Sequence, residues 1–230
     1  MNKVGIILGS AMLADPDYKK YRSKVVKTKY GKIELKIDKN VFYLQRHGKN
    51  TPPHMINHQA NIFLLHKQGV ENIIALNSSA SVKKDIKPGT ILIPHDYIDW
   101  QNQYTFFDDK IKFTIPSISN ELRNIVIKVG RQNNMQIIKK GVYWQVHGPR
   151  FETKTEIKLI AKFADIVGMT LASEATLARE LDINYASICT VDNYANGISQ
   201  EKCTIEKFFQ GQRRSKDDVK RLLRETLKKI

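Results

Sequence analysis

Three short segments between residues 141 and 196 constrain the fold of this chain more than any other part of its sequence. They cover residues 146–152, 168–170 and 191–196. Each lies in or directly after an apolar run typical of a strand, and each contains glycine, proline or polar residues that end such a run. In open α/β sheets, ligands bind where several strand ends deliver side chains to one crevice. The chain is therefore expected to fold around a ligand-binding crevice at one edge of a sheet.

Short apolar runs alternate with helical patterns along the rest of the chain. Residues 4–8, 41–44 and 73–76 are predicted to be buried strands, because each run is short, apolar and bounded by turn or polar residues. Residues 56–67 have apolar side chains at helical spacing and end before Gly69, which predicts an amphipathic helix. This alternation indicates an α/β fold, and we expect a single domain over residues 1–230 with a central mixed β-sheet flanked by helices.

The charge of the chain needs an explanation, because its formal net charge is +15. Nucleic-acid binding is one interpretation, but the basic residues are scattered and no RNA- or DNA-binding motif accompanies them. A Lys-rich, solvated surface is the simpler interpretation, and we expect no nucleic-acid partner. The two cysteines argue against a disulfide scaffold and a Cys-based zinc site. The first apolar run is too short to span a bilayer, so we expect a cytoplasmic protein without a membrane partner.

Four expected strand ends carry groups that suit an anion. They are Ser10, Arg46 with His47, Asn77 with Ser78, and Met169 with Thr170. The planar guanidinium of Arg46 matches phosphate, and His47 would add a hydrogen bond or a tunable charge. Taken singly, each serine is explained as a turn or cap residue and the Arg-His pair as a surface pair. Their recurrence at successive strand ends favours one shared anion site.

A second group of residues is suited to a planar heterocycle. The Phe151 ring can stack on a base, and the Glu152 carboxylate can accept hydrogen bonds from ring N–H and exocyclic NH₂ groups. Asn193 offers both a donor and an acceptor. Taken singly, Glu152 is equally well explained as a first-turn acid favoured by the helix dipole, and Asn193 as a turn residue. Together with the anion-binding groups, they indicate a crevice for a purine nucleoside and phosphate.

At these residues the sequence resembles the trimeric purine nucleoside phosphorylases and the related methylthioadenosine phosphorylases. The resemblance runs from residue 4 to residue 198, with a shortened region between residues 99 and 120. The matching motifs, in chain order, are Arg46-His47-Gly48, Pro52-Pro53-His54-Met55-Ile56-Asn57, Ile86-Lys87-Pro88-Gly89, Gly148-Pro149-Arg150-Phe151-Glu152-Thr153, Gly168-Met169-Thr170 and Asp192-Asn193-Tyr194. So many motifs in the same order form a specific match.

The resemblance implies reversible phosphorolysis of a purine ribonucleoside to the free base and ribose 1-phosphate. It implies inorganic phosphate as co-substrate, no cofactor and no metal, and a homotrimer or a dimer of trimers. The residues implied to surround phosphate are Ser10, Arg46, His47, Asn77, Ser78 and Thr170. Those implied to hold the nucleoside are Phe151, Glu152, Asp192, Asn193 and Ala195 at the base, Met169 at the ribose and His54 near the 5′ side. Arg46, His47 and Asn193 are the implied catalytic residues.

The last of these motifs bears on base preference. Family members that act on 6-aminopurines usually carry Asp-Tyr-Asp there and lack the acid after Gly-Pro-Arg-Phe, whereas this chain has Asn193-Tyr194-Ala195 and Glu152. A 6-oxo group needs a donor, which Asn193 has and an ionised aspartate lacks. A mismatched base leaves a buried polar group unpaired. The sequence therefore favours 6-oxopurine nucleosides, namely inosine, guanosine or 5′-methylthioinosine.

Two other functions stay open at this point. One is phosphorolysis of 5′-methylthioadenosine on the same scaffold, because the residues of the 5′ pocket are not identified by the sequence. The other is a nucleoside- or nucleic-acid-binding protein with little turnover, which would fit the positive charge and two loops whose sequences depart from the family pattern. A shift of the last loop by one residue would also bring Asp192 to the base in place of Asn193.

Two loops depart from the family pattern. Gly9-Ser10-Ala11 stands where members commonly have Gly-Gly-Thr-Gly, and residues 77–81, predicted to be a loop, contain no glycine. Alanine at a position that needs a positive φ would be strained, so we expect altered phosphate geometry. Near the C-terminus, Cys203, Ile205, Phe208 and Phe209 suggest an apolar 5′ pocket. A plain helix core is the simpler interpretation of these side chains.

Overall fold

The alternation of strands and helices is present in the computed structural model, which describes residues 2–12, 15–48, 50–101, 104–200 and 204–230. The strands are β1 (Val4–Leu8), β2 (Arg22–Thr28), β3 (Gly31–Asp38), β4 (Val41–Gln45), β5 (Asn72–Ser81), β6 (Ile91–Leu92), β7 (Asp96–Ile98), β8 (Ile137–Ile138), β9 (Val142–Gln145), β10 (Ile166–Gly168) and β11 (Asn184–Tyr194). The helices are α1 (Pro16–Lys19), α2 (His58–Lys67), α3 (Asn120–Gln132), α4 (Lys154–Ile160), α5 (Leu171–Glu180) and α6 (Ile205–Leu227).

The strands form one mixed 11-stranded sheet. Its main path runs β2-β3-β4-β1-β5-β10-β9-β7, and β11, β6 and β8 extend from β5 as a branch. Strand β1 pairs in parallel with β4 and β5, and β5 pairs in parallel with β11. The β2–β3, β3–β4 and β5–β10 pairs are antiparallel. The predicted fold class, an α/β domain with a central mixed sheet flanked by helices, is confirmed.

The sheet is covered on both faces at its centre. On one face Ile7 and Ile73 pack in a core to which α2 and α5 contribute. On the other face Ile6 and Ile74 pack in a core to which α3 and α6 contribute. Parallel strands buried on both faces consist of continuous apolar runs, which explains why β1 and β5 show no polar alternation in their first residues. No helix among the described residues is long and apolar enough to cross a membrane.

The predicted loop at residues 77–81 is wrong, because this segment continues strand β5 to Ser81. Its backbone pairs with β11 over its whole length, and Ala80 and Ser81 also face β10. Pairing with β11 along the segment, and with β10 at its end, keeps a polar, serine-rich sequence extended, so that local propensity is overridden. Strand β11 in turn runs to Tyr194, with a register shift between Val191 and Asn193. The polar side chains of residues 77–81 and of the end of β11 are therefore carried on paired strands of the sheet and not on loops.

Candidate active site

A cavity of about 240 Å³ lies where β1, β4, β9, β10 and β11 end. It brings together many of the residues predicted to form the site: Ser10, Arg46, His47, Ser78, Phe151, Glu152, Met169, Thr170 and Asn193. These residues are far apart in the chain, and the sheet topology alone makes them neighbours. The side chains that line it are of three chemical kinds, and each kind is called a wall: residues that carry hydroxyl groups or basic groups, polar residues with an aromatic ring, and apolar residues.

The first wall is made of hydroxyl groups. Ser10 begins a short 3₁₀ turn directly after β1, and its Oγ lies 3.2 Å from the Oγ of Ser78 on β5. Gly9 allows this approach, since a Cβ there would lie 2.5 Å from the Leu76 carbonyl oxygen. Thr170 precedes α5, and its Oγ1 accepts a hydrogen bond of 2.8 Å from the carboxamide of Asn77. Because that hydroxyl already accepts a bond, its own proton is free to point at a ligand.

Arg46 lies beside these hydroxyls and is held by an internal ion pair. Its Nε and one terminal nitrogen donate to the two carboxylate oxygens of Glu174 at 2.6 and 2.9 Å. Its other terminal nitrogen donates to the Leu76 carbonyl at 2.6 Å. Glu174 also accepts a bond of 2.9 Å from the Tyr185 hydroxyl, and all of these side chains are buried. A guanidinium has five N–H donors, so Arg46 retains donors for a ligand, although Glu174 balances its charge.

His47 contributes an acceptor to the same wall. Its Nδ1 lies 2.8 Å from the Thr51 carbonyl oxygen, so Nδ1 carries the proton and donates. Burial, together with the charge of Arg46, lowers the pKa of His47. The ring is therefore neutral at pH 7, and its Nε2 can accept a hydrogen bond from a protonated oxygen of phosphate or from a sugar hydroxyl.

The second wall faces the predicted position of the base. Phe151 is 39% exposed, which leaves one part of its ring open to the cavity. Glu152 is buried, and this burial raises the pKa of its carboxyl. The side chain of Asn193 is buried at the end of β11, where its Nδ2 donates to the Tyr194 carbonyl at 2.8 Å. A carboxyl group, a carboxamide and an aromatic ring thus line the same cavity.

The third wall is apolar and comes from the first turn of α6. Ile205, Phe208 and Phe209 line it. Ile205 and Phe209 are 59% and 51% exposed, so they do not belong to a helix core. For Ile205 and Phe209 the interpretation as a plain helix core is therefore wrong. Cys203 lies outside the described residues.

Comparison with known proteins identifies the family. A family model described as the phosphorylase superfamily matches residues 3–228. The chain belongs to the phosphorylase superfamily. It is 37% identical to a probable 6-oxopurine nucleoside phosphorylase of Archaeoglobus fulgidus, over 99% of this chain and 96% of that protein. It is 43% identical to a probable S-methyl-5′-thioinosine phosphorylase of Methanocaldococcus jannaschii, over 82% of this chain and 78% of that protein.

The fold of this phosphorylase is also that of a solved structure. Methylthioadenosine phosphorylase from Schistosoma mansoni, in complex with adenine, superposes with a TM-score of 0.84 at 27% sequence identity. The match covers 98% of this chain and 91% of that one. The family predicted from the sequence motifs is therefore confirmed.

Four residues predicted to touch ligands do not line the cavity of the phosphorylase. Asn77 is buried behind Thr170, and its carboxamide oxygen accepts from Ser187 at 2.7 Å. The buried carboxyl of Asp192 does not line the cavity and lies beside Thr190 and Gln212. Ala195 packs in a small apolar core. His54 is exposed on a 3₁₀ turn outside the cavity, so within one chain it does not reach the 5′ side.

The strain expected in the two altered loops is absent. Among the described residues, the non-glycine positions with a positive φ are Lys39, Asn134 and Asp182. Neither Ala11 nor Ala80 is among them. Ala80 lies in the regular part of β5 and Ala11 in a 3₁₀ turn, and both conformations are open to alanine. The phosphorylase therefore needs no glycine at these positions.

Proposed function

We propose that this protein catalyses the reversible phosphorolysis of 6-oxopurine nucleosides, with S-methyl-5′-thioinosine as the preferred substrate. The observation that carries this proposal is the division of one cavity into three walls of different chemistry. A phosphate, a hypoxanthine ring and a 5′-methylthio group each find a suitable wall, and the ribose would lie between them against Met169. The names of the related phosphorylases point to the same class of reaction.

Phosphate would bind at the hydroxyl wall. Ser10, Ser78 and Thr170 supply hydroxyl donors, and the remaining N–H groups of Arg46 supply charge-assisted ones. The positive charge of Arg46 is balanced by Glu174, so the site holds hydrogen phosphate mainly through directed donors. The neutral Nε2 of His47 would accept the proton that hydrogen phosphate carries.

The base would bind between Phe151, Glu152 and Asn193. Burial raises the pKa of Glu152, and its carboxyl accepts a bond from the N1–H of hypoxanthine in either protonation state. Asn193 would donate to an acceptor atom of the purine, which an ionised aspartate could not do. The proposed preference for 6-oxopurines therefore depends on a carboxamide at position 193.

The 5′ substituent would meet the apolar wall. Once the phosphate and base ends are assigned, Ile205, Phe208 and Phe209 remain for the 5′ end of the nucleoside. Burying a 5′-hydroxyl against three apolar side chains leaves it without a partner, at a cost of about 1–3 kcal/mol. A methylthio group loses no hydrogen bond there and gains contact with the two aromatic rings. This wall favours the methylthio nucleoside over inosine.

The reaction needs positioning and electrostatic stabilisation and no covalent nucleophile. The C1′–N9 bond breaks, its electron pair stays on the purine, and an oxygen of phosphate bonds to C1′ through an oxocarbenium-like transition state. The proton of hydrogen phosphate ends on the released base, so that atoms and charge balance. Arg46 and the hydroxyls would hold phosphate in line with C1′, and Asn193 would stabilise the negative charge that develops on the purine.

We also propose that the protein acts in the cytoplasm as a homotrimer or a dimer of trimers. The segment after β7 supports association, because Ile111, Phe113 and Ile115 are 93%, 91% and 85% exposed. Such a row of exposed apolar side chains favours contact with another chain. A neighbouring chain could also bring its own His54 to a site, which one chain alone does not do.

The proposal is tested by measuring free base released from five nucleosides, with and without phosphate: inosine, guanosine, 5′-methylthioinosine, adenosine and 5′-methylthioadenosine. We expect phosphate-dependent turnover with the highest kcat/KM for 5′-methylthioinosine. Turnover of the 6-amino compounds alone would refute the proposed base preference, but the proposal of phosphorolysis would still hold. An absence of phosphate-dependent turnover with all five would refute the proposed function.

A further inference from the structure

A buried carboxamide, that of Gln212 on α6, lies behind the hydroxyl wall and does not line the cavity itself. Gln212 of α6 donates through its Nε2 to the Oγ of Ser10 at 2.6 Å and to the Oγ of Ser78 at 2.9 Å. Gln212 is 5% exposed, so it is not available as a surface residue. One NH₂ group therefore uses both of its protons on the two serines proposed to bind phosphate.

A glycine in α6 lets the helix pack close enough to β11 for Gln212 to reach the two serines. The preceding residue, Gly211, lies against the backbone of Asp192 on β11, so closely that any added Cβ would overlap the Asp192 carbonyl. Gly211 lies inside a regular helix, where glycine costs about 1 kcal/mol relative to alanine. The glycine is thus explained by close approach of the helix to the strand, and this approach brings the Gln212 side chain to Ser10, which follows β1, and to Ser78 on β5.

The direction of the hydrogen bonds determines what the serines can do. A hydroxyl has one proton and two lone pairs, and each of these two hydroxyls receives a proton from Gln212. The serines can share one bond between them, at 3.2 Å, which uses the proton of only one of them. At least one serine proton is left to point into the cavity. Phosphate oxygens accept protons, so this arrangement suits phosphate.

The buried carboxyl of Asp192 is a group that could compete with phosphate for the Ser78 proton. Its side chain is 1% exposed and lies beside Ser78, Thr190 and Gln212, although neither of its oxygens has a hydrogen bond of regular geometry among the described residues. In its ionised form this carboxyl is only an acceptor and would draw the Ser78 proton away from the cavity. Gln212 lies beside both this acceptor and the serines, and it supplies donor groups to the serines.

We infer that Gln212 is a positioning residue for phosphate: it holds the hydroxyls of Ser10 and Ser78 as donors toward the cavity. The same device serves Thr170, whose Oγ1 receives a proton from the carboxamide of Asn77. Two carboxamides, one from β5 and one from α6, thus stand behind three hydroxyls. The inference rests on the proposed phosphate site and adds a residue from the last helix to it.

The test compares Gln212→Met, which keeps the size of the side chain and removes its donors, with Gln210→Met, an exposed position on the same helix. We expect Gln212→Met to raise the KM for phosphate about 10- to 100-fold, since hydrogen bonds to charged groups contribute that much. The KM for the nucleoside should stay within about threefold, because those contacts are unchanged. Gln210→Met should leave both values as in the wild type. An unchanged phosphate KM, or an equal rise in both KM values, would overturn the inference.

A double-mutant cycle shows whether Gln212 acts through the serines. In a background of Ser10→Ala with Ser78→Ala, Gln212→Met should change the phosphate KM by less than about threefold, because neither hydroxyl is left to orient. Full additivity contradicts the mechanism. If Gln212→Met does not fold, Gln212→Glu replaces it. Its carboxylate accepts from the serines, so it should weaken phosphate binding at pH 8 and recover as lower pH protonates it.

The failure of this inference can be told apart from the failure of the proposed function. If the wild type releases no base, binding of inorganic phosphate is measured by calorimetry for the wild type and Gln212→Met. Phosphate binding that is weakened by Gln212→Met would support the inference without turnover. Equal binding by both proteins, or none by the wild type, would overturn it.

Discussion

The ion pair between Arg46 and Glu174 offers the most direct test of how the core supports the site. Glu174→Gln keeps the shape of the side chain and removes its charge. The two oxygens of Glu174 lie 2.6 and 2.9 Å from Arg46, and the two side chains are 1% and 0% exposed. The substitution leaves a buried guanidinium without a counter-charge and sets an NH₂ group against its N–H donors.

The expected magnitude follows from this burial. Removing one partner of a buried ion pair costs about 3–5 kcal/mol, since the other charge stays desolvated and unpaired. Domains of this kind have free energies of unfolding of about 5–15 kcal/mol, so the variant should lose a large fraction of its stability. Adding Arg46→Met removes the unpaired charge, while the carboxamide introduced by Glu174→Gln can still accept the bond from Tyr185. The double variant should therefore be more stable than Glu174→Gln, and it should lack turnover because Arg46 is gone.

The assay is equilibrium unfolding in urea, followed by fluorescence, with turnover measured on the same preparations. Glu180→Gln is the matched control, because Glu180 is a second buried acid of α5 that accepts from Thr105 and the Phe106 N–H and has no cation as hydrogen-bond partner among the described residues. The control should lose about 1 kcal/mol. If Glu174→Gln loses no more than the control, or if Arg46→Met brings no recovery, the ion pair does not anchor Arg46 as argued.

Three further predictions concern Asp192, Asn193 and Phe208. Burial raises the pKa of the Asp192 carboxyl to about 7 from the ordinary 3.8. Between these two pH values the folded protein keeps a proton that the unfolded chain has lost, so the free energy of unfolding falls as the pH rises from 3.8 to about 7. Relative to the wild type, Asp192→Asn should therefore gain about 2–3 kcal/mol in free energy of unfolding between pH 5 and pH 8, at 1.36 kcal/mol per pKa unit; a pH-independent difference in urea unfolding contradicts this. Asn193→Asp should shift the ratio of kcat/KM from 6-oxo toward 6-amino nucleosides by about tenfold or more, since an unpaired buried polar group costs about 1–3 kcal/mol. An unchanged ratio would remove Asn193 from base recognition. Phe208→Ala should raise the KM for 5′-methylthioinosine more than that for inosine, and equal effects on both would remove the apolar wall from 5′ recognition.

Much of the fold was accessible from the sequence, because the relevant signals are local. β1 is buried on both faces of the sheet, so its sequence is a continuous apolar run. α2 buries one side against the sheet, so its apolar residues recur at helical spacing. The ends of α2 follow from the Asn57 side chain, which accepts from the Ala60 N–H, and from Gly69, which has a φ of 74°. The six motifs between Arg46 and Tyr194, in their order along the chain, were also the basis on which the family was predicted.

The errors lie where distant segments meet. Residues 77–81 were expected to form a loop because serine and asparagine favour turns, and only the pairing with β11 and β10 keeps them extended. The apolar side chains at the start of α6 were compatible with a helix core, because a sequence does not show which face of a helix meets another element. Gly211, a glycine inside a helical pattern, was the one local signal that α6 approaches another backbone closely.

The sequence by itself determined the α/β class, the order of the strands and helices, and the residue types that bear chemistry. Tertiary structure alone decided that Asn193 faces the cavity while Asp192 faces α6, and that Asn77 and Gln212 stand behind hydroxyls. The physical reason is that hydrogen-bond roles depend on which groups share a buried space. In this protein that space is enclosed by residues as far apart as Ser10 and Gln212, which only the sheet and the last helix bring within 2.6 Å.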